Sequence, residues 1–181
     1  AVTDYSFVGG ARGSAGGFNW DLSGRYGYNE IDYTLFNTIN PSLGPESPTS
    51  FQPGALSNEE VQFQADFSYE LDTGTYTPTL LAFGLSYLDE TYDVQQSSDV
   101  ASYEAGPYAT PDPHDLCTDE ADFALRTAQG AGVGVAGLDC TDSGDPVYTV
   151  VGVGSNGFPG YSPAFSDVYE RDSYAAYVDL S

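Results

Sequence analysis

The chain has 181 residues, 27 of them acidic and four basic, for a formal charge of -23. That balance excludes a nucleic-acid partner, which needs a positive patch on the protein, and attraction to an anionic membrane surface. The ligands such a charge draws are divalent cations. All four cations are arginines (Arg12, Arg25, Arg126 and Arg171), and the absence of methionine implies a processed or excised piece. No charged segment followed by an apolar run opens the chain, so no signal peptide is expected. No apolar run approaches the ~18–20 residues of a membrane helix. An integral membrane role would therefore fall to strands.

A first strand is read from Asp4 to Gly13, weakly alternating, followed by a short turn at Ser14–Gly17. The second, Phe18 to Leu35, puts Trp20, Leu22, Gly24, Tyr26 and Tyr28 on one face. A parity change near Glu30–Ile31 suggests a bulge or an exit into solvent. Asn37 to Asn58 reads as a Pro/Ser/Gly-rich loop. The third strand, residues 60–72, is the clearest signal in the chain. From Val61 to Asp72 every odd position is apolar (Val61, Phe63, Ala65, Phe67, Tyr69, Leu71) and every even one polar, the two-faced pattern of a strand. The run exceeds the usual ~5–6 residues and matches the ~9–11 that a tilted strand needs to cross a bilayer.

A short turn at Asp72–Tyr76 leads to a fourth strand, Thr79 to Val94, with Leu81, Phe83, Leu85 and Tyr87 on one face. Gln95 to Arg171 reads as a long acidic loop, within which Asp119–Gln129 suits a short helix and Tyr148–Val153 an extra strand. The last strand, Ser173 to Ser181, aligns Tyr174, Ala176, Val178 and Leu180. Short turns thus alternate with long loops, as in outer-membrane barrels. The expected class is all-β and antiparallel, one segment covering residues 1–181.

Several segments resemble a known family. Gly17-Phe18-Asn19-Trp20-Asp21-Leu22-Ser23 with Tyr26-Gly27-Tyr28-Asn29-Glu30 is similar to a barrel segment of TonB-dependent outer-membrane receptors. So are Asn37-Thr38-Ile39-Asn40-Pro41-Ser42-Leu43-Gly44-Pro45 with Ser47–Phe51, Ala82–Tyr87 with Glu90-Thr91-Tyr92, and Phe158–Pro163 with Arg171–Leu180. The resemblance covers most of the chain outside about Ala105–Gly154 and rests on the ordered series, since no single motif is diagnostic. It implies a parent in the bacterial outer membrane that engages TonB and lipid and imports siderophores, vitamins or glycans. No plug, TonB box or closing strand is recognised here, and about four to six strands cannot close a barrel whose smallest form has ~8.

The sequence therefore reads as a fragment not competent for transport alone. Unpaired edges and low-charge β windows (Thr79–Leu85, Tyr148–Val153, Tyr174–Val178) point to self-assembly with its own copies into an extracellular or cell-surface, cross-β, amyloid-like filament. Repulsion between chains of charge -23 opposes it. The alternative is the barrel portion of an intact outer-membrane transporter. Both need the same residues, Val61, Phe63, Phe67, Tyr69, Leu81, Phe83, Leu85, Tyr174 and Val178, facing lipid or a second copy.

Cys117 and Cys140 lie in the acidic loop and read as a disulfide of an oxidising compartment. Pairing them would draw Asp112, Asp115, Asp119, Glu120 and Asp122 toward Asp139, Asp142 and Asp145, a candidate Ca²⁺ site without an EF-hand pattern. His114 reads as a loop histidine, with no second Cys or His at zinc spacing. No lysine completes a phosphate loop around Gly130–Gly137. No nucleophile, base and orienting group can be assembled, so no enzyme is expected.

Overall fold

The computed structural model describes residues 1–74, 78–117 and 138–181. It contains five strands: β1 Val2–Ala15, β2 Phe18–Phe36, β3 Ser50–Leu71, β4 Thr79–Gln95 and β5 Val168–Leu180. They form one antiparallel sheet in the order β1-β2-β3-β4-β5. The sheet is open, with β1 and β5 as its edges, and is not closed into a barrel. Every pairing joins neighbours in sequence, the arrangement that short turns favour.

The β1–β2 hairpin turns through Gly16 and Gly17, whose φ values of 57° and 81° are those a two-residue type I′ turn requires and glycine supplies without strain. Ala15 pairs with Phe18 directly across it. The turn expected at Asp72–Tyr76 falls partly outside the described residues, but Leu71 pairs with Thr79 at its base.

The chain packs as two compact units. The sheet unit comprises Ala1–Asp32, Ala55–Gln95 and Asp167–Ser181. Its registers place Phe63 opposite Tyr87, Ala65 opposite Leu85 and Phe67 opposite Phe83. Tyr87 in turn opposes Tyr174, Leu85 opposes Ala176 and Phe83 opposes Val178. On the other side, Trp20 opposes Gly13, Leu22 opposes Ala11 and Tyr28 opposes Tyr5. The ring of Trp20 covers Gly13 so closely that a Cβ there would lie 2.6 Å from it. That is why β1 alternates weakly in sequence: the indole occupies the space of its missing side chain.

The loop unit comprises Tyr33–Gly54 and Gln96–Ser166. Its described apolar centre is small: Phe51, 1% exposed, with Pro53 and Leu138. Most of its interior is polar, with Asn40, Ser42, Ser97, Ser102 and Ser155 buried. Short 3-10 turns at Pro41–Glu46, Val100–Ser102, Pro107–Ala109 and Pro146–Tyr148 fold it.

Three expectations change. β3 begins at Ser50 rather than near residue 60. Pro53 and Gly54 read as breakers, yet the Pro53 carbonyl accepts from the Tyr161 N–H at 2.8 Å, and the Gln52 N–H donates to the Asp99 carboxylate. β5 begins at Val168 rather than Ser173, because Arg171, at the expected end of the loop, sits opposite Glu90 and pairs with it. Tyr148–Val153 is no strand. Pro146–Tyr148 is a 3-10 turn whose Val147 N–H is capped by the Asp145 carboxylate, and the β-branched run after it bonds through the Thr149 N–H to the Pro146 carbonyl and the Val151 N–H to the Tyr108 carbonyl instead of a ladder. The helix expected at Asp119–Gln129 lies outside the described residues.

Candidate functional site

The sheet unit carries the main feature, a face of uncovered apolar and aromatic side chains. Backbone pairing and alternation put Val61, Phe63, Phe67, Tyr69, Leu81, Phe83, Leu85, Tyr174 and Val178 all on this face. The Glu70 N–H bond to the Gly17 carbonyl and the Asn19–Ser68 side-chain bond align β2 with β3. This brings Trp20, Leu22 and Gly24 beside Phe67, Ala65 and Phe63. Ring stacks cross the strands: Phe18 on Phe67 with centroids 5.8 Å apart, Phe67 on Phe83 at 5.0 Å, and Tyr87 against Tyr174 at 4.9 Å. Tyr5 packs on Tyr28 at 5.2 Å.

These rings touch one another but little else. Phe63 is 57% exposed, Leu85 60%, Val178 75% and Leu180 66%. Covering such a side chain is worth about 1.5–3 kcal/mol. Leaving these four in water forgoes on the order of 6–12 kcal/mol, comparable with the whole net stability of an ordinary domain. A contiguous patch of this kind marks a surface made for another phase or partner. Its centre is shallowly concave, a depression of about 550 Å³ where Ala65 and Ala176 lie among Leu22, Phe63, Leu85 and Tyr174.

The opposite face is polar. Arg25 pairs with Glu60 at 2.8 Å, Arg171 with Glu90, and the Asn29 amide donates to Asp4 at 3.0 Å. The Tyr177 hydroxyl donates to Asp66 across Gly84, and a Cβ at Gly84 would lie 2.3 Å from the Tyr177 ring. Face polarity is therefore opposite on the two sides of one sheet, and among the described residues of this unit no hydrophobic layer lies against either.

The apolar band ends in acids that sequence reasoning did not single out. The Tyr87 hydroxyl lies 3.0 Å from the Asp89 carboxylate and 2.8 Å from that of Asp172, and its one proton serves the two. The Tyr28 hydroxyl donates to Glu30 at 2.7 Å. In each case the last ring of the strand's apolar stretch reaches a carboxylate two positions further on the same face. Tyr5 and Phe7 also join this face, although β1 alternates too weakly for its sequence to show it.

In the acidic loop the described carboxylates bond to nearby backbone. The Cys117–Cys140 disulfide is formed, with Cα atoms 5.5 Å apart. The Asp112 carboxylate is buried and accepts from the Leu116 and Cys117 N–H groups at 2.8 and 2.6 Å. Asp139 accepts from the backbone and side chain of Thr141, which holds its carboxyl below the usual range. Asp142 accepts from the Gly144 N–H, and Asp145 from those of Asp139 and Val147. These carboxylates cap turns. Among the described residues no group of three His, Cys, Asp or Glu side chains could hold a metal ion. Asp119, Glu120 and Asp122 lie outside the described residues. His114 meets the Tyr108 hydroxyl at 3.0 Å.

The loop unit's polar centre was not foreseen. Asn40, fully buried, accepts at Oδ1 from the Ser42 N–H, the Ser42 hydroxyl and the Gly154 N–H. Its amide nitrogen donates to the Ala101 and Glu104 carbonyls, both at 2.9 Å. The Ser97 and Ser102 hydroxyl oxygens lie 2.9 Å apart, and both are within hydrogen-bond reach of the Asp99 carbonyl. Among the described residues no buried side-chain nitrogen or oxygen lacks a partner.

No family model, no curated protein and no solved structure matches this chain.

Proposed function

We propose that this chain forms an arc of the wall of an outer-membrane β-barrel, belonging to a transporter of the TonB-dependent receptor kind. One observation carries the reading: long strands in a sequential antiparallel meander present an apolar, aromatic face that nothing in their own unit covers. Lipid chains cover such a face in a barrel, while the polar side lines the interior. In this reading Phe63, Leu85, Tyr174 and Val178 meet lipid, and Arg25, Glu60, Asp66 and Tyr177 point inward. The loop unit, closed by a disulfide, suits an oxidising compartment outside the cytoplasm. The substrate class is that of the resembling receptors, siderophores, vitamins or glycans, with energy from TonB.

Self-assembly is the second reading, favoured by the two open edges at β1 and β5. It ranks below the first for two reasons. The backbone bonds of β2, β3 and β4 are spent within the chain, whereas a cross-β stack runs them between copies. The charge of -23 also repels a stacked neighbour.

Fractionation of a Gram-negative host expressing the full-length protein tests both. The barrel reading expects recovery in the outer membrane, release by detergent only, and electrophoretic mobility that changes on boiling. Recovery as a detergent-free soluble monomer overturns it. Long unbranched fibres in negative stain favour the second reading instead.

A further inference from the structure

Tyrosines and acids mark one end of the apolar band on the uncovered face, and that limit crosses the sheet obliquely. Along β4 and β5 the last apolar side chains on this face are Tyr87 and Tyr174, followed two residues on by Asp89 and Asp172, and these four are matched pairwise in the register. Along β3 the apolar run extends one step further, to Val61, which lies opposite Asp89; Glu59 follows. Along β2 and β1 it extends one step beyond that, to Tyr28 and Tyr5, which pair with each other and lie level with Glu59 in the β2–β3 alignment. Beyond Tyr28 comes Glu30, to which its hydroxyl donates.

The limit of the apolar band therefore shifts by four residues between the β4–β5 side and the β1–β2 side. Four residues are about 13 Å of strand, and the shift is spread over two strand spacings from β4 to β2 and four from β5 to β1, about 10–19 Å. The resulting slope is about 35–54°, which includes the ~35–45° tilt of transmembrane barrel strands. On β2 and β3 the height of the band agrees as well. It spans Val61–Leu71 on β3 and Phe18–Tyr28 on β2, about ten residue steps or ~33 Å of strand, whereas on β4 and β5 it is shorter, Leu81–Tyr87 and Tyr174–Leu180. At that tilt the vertical height is about 25 Å, the height of the apolar belt of outer-membrane barrels. A face made for a second copy of a folded protein has no reason to carry an oblique edge of this slope together with this height.

We propose that the hydrocarbon boundary of the bilayer follows the line Tyr174–Tyr87–Val61–Tyr28–Tyr5, with Asp172, Asp89, Glu59 and Glu30 in the headgroup water above it. The inference rests on the barrel reading and adds a depth to each residue of the face. Its least obvious consequence concerns one row of side-by-side residues, Ala176, Leu85, Ala65, Leu22 and Ala11. Ladder neighbours in this row differ in depth, deepening by about 10 Å from Ala176 to Ala11, four residues of strand at that tilt.

Single cysteines at Ala176, Ala65 and Ala11, in the full-length protein reconstituted in phosphatidylcholine vesicles, test it. The native pair is disulfide-bonded and leaves the introduced thiol for a spin label. Power saturation with oxygen and with a water-soluble nickel chelate then reads depth. The expected result is oxygen access at all three sites, with Ala176 about 5 Å below the boundary, Ala65 about 5 Å deeper, and Ala11, past the midplane, about as far from the bilayer centre as Ala65. Equal depths at all three, with oxygen access retained, overturn the oblique boundary and leave the barrel reading standing. Nickel access at all three overturns the barrel reading itself. Quenching of Trp20 by brominated lipid is a second readout that needs no substitution: it is expected in the folded protein, and its absence counts against both.

Discussion

The two units solve the same problem in opposite ways. The sheet unit satisfies its backbone through a regular ladder and leaves its large apolar side chains outside. The loop unit has little regular structure and buries small polar side chains, whose hydrogen bonds replace a ladder. An apolar core would be the usual adhesive for a segment of this length, but among its described residues only Phe51, Pro53 and Leu138 are buried apolar side chains. The comparison teaches that burial and stability have separated in this chain. The sheet depends on its surroundings for the hydrophobic contribution, while the loop unit depends on hydrogen-bond satisfaction and one covalent link.

Substitutions can break that contrast. The largest expected effect is Asn40→Ala. It removes five side-chain bonds and strands the Gly154 N–H and the Ala101 and Glu104 carbonyls. At about 1–3 kcal/mol for each buried group left unpaired, the loop unit loses on the order of 3–5 kcal/mol. Hydrogen exchange should accelerate at Ser42 and Gly154 while the β3–β4 ladder stays protected; protection lost equally in both units would show that they are not separately stabilised.

Cys117→Ser with Cys140→Ser comes next. The bond closes 23 residues of separation, which in the chain-entropy account is worth about 3–4 kcal/mol. Limited proteolysis should open the loop unit first, and equal protection with and without reductant would contradict this. Third, Leu85→Arg places a charge in the middle of the uncovered face. Leu85 lies about 5 Å below the proposed boundary, between an interface where the charge costs about 0–1 kcal/mol and the midplane where it costs about 2–4, so the urea midpoint for unfolding from vesicles should fall. Ser86→Arg, on the polar face, is expected to leave that midpoint nearly unchanged, and equal effects of the two would erase the distinction between faces.

The smallest effect is a pH dependence in the loop unit. Hydrogen bonds from Thr141 lower the folded pKa of Asp139. Its contribution is therefore present above the unfolded carboxylate pKa and is lost as pH falls through the lowered folded value. NMR titration should show Asp139 protonating below an ordinary aspartate, and Thr141→Val should bring it back up.

The sequence was most legible where alternation carries the structure. The odd positions from Val61 to Leu71 are unbroken, so face and strand were both visible. β4 and the two cysteines were equally plain. Gly13 hid the face of β1 because the side chain filling that site, Trp20, belongs to another strand. Pro53 hid the start of β3 because proline lacks a donor, and only the fold reveals that its carbonyl is the group used. Tyr148–Val153 misled because β-branched composition reports fitness for a sheet, not the presence of a neighbour. Asn40 and the buried serines carried no signal: in a Pro/Ser/Gly-rich stretch a buried asparagine reads like an exposed one. The oblique boundary needs the registers, since within any one strand it is only a tyrosine followed by an acid.

The Cys117–Cys140 bond has a consequence for the chain as a connected object. A backbone cut anywhere between the two cysteines leaves both halves joined through sulfur, so a nicked molecule keeps β4 and β5 on one covalent body. Such a cut is silent on a non-reducing gel and becomes visible only when thiol is added.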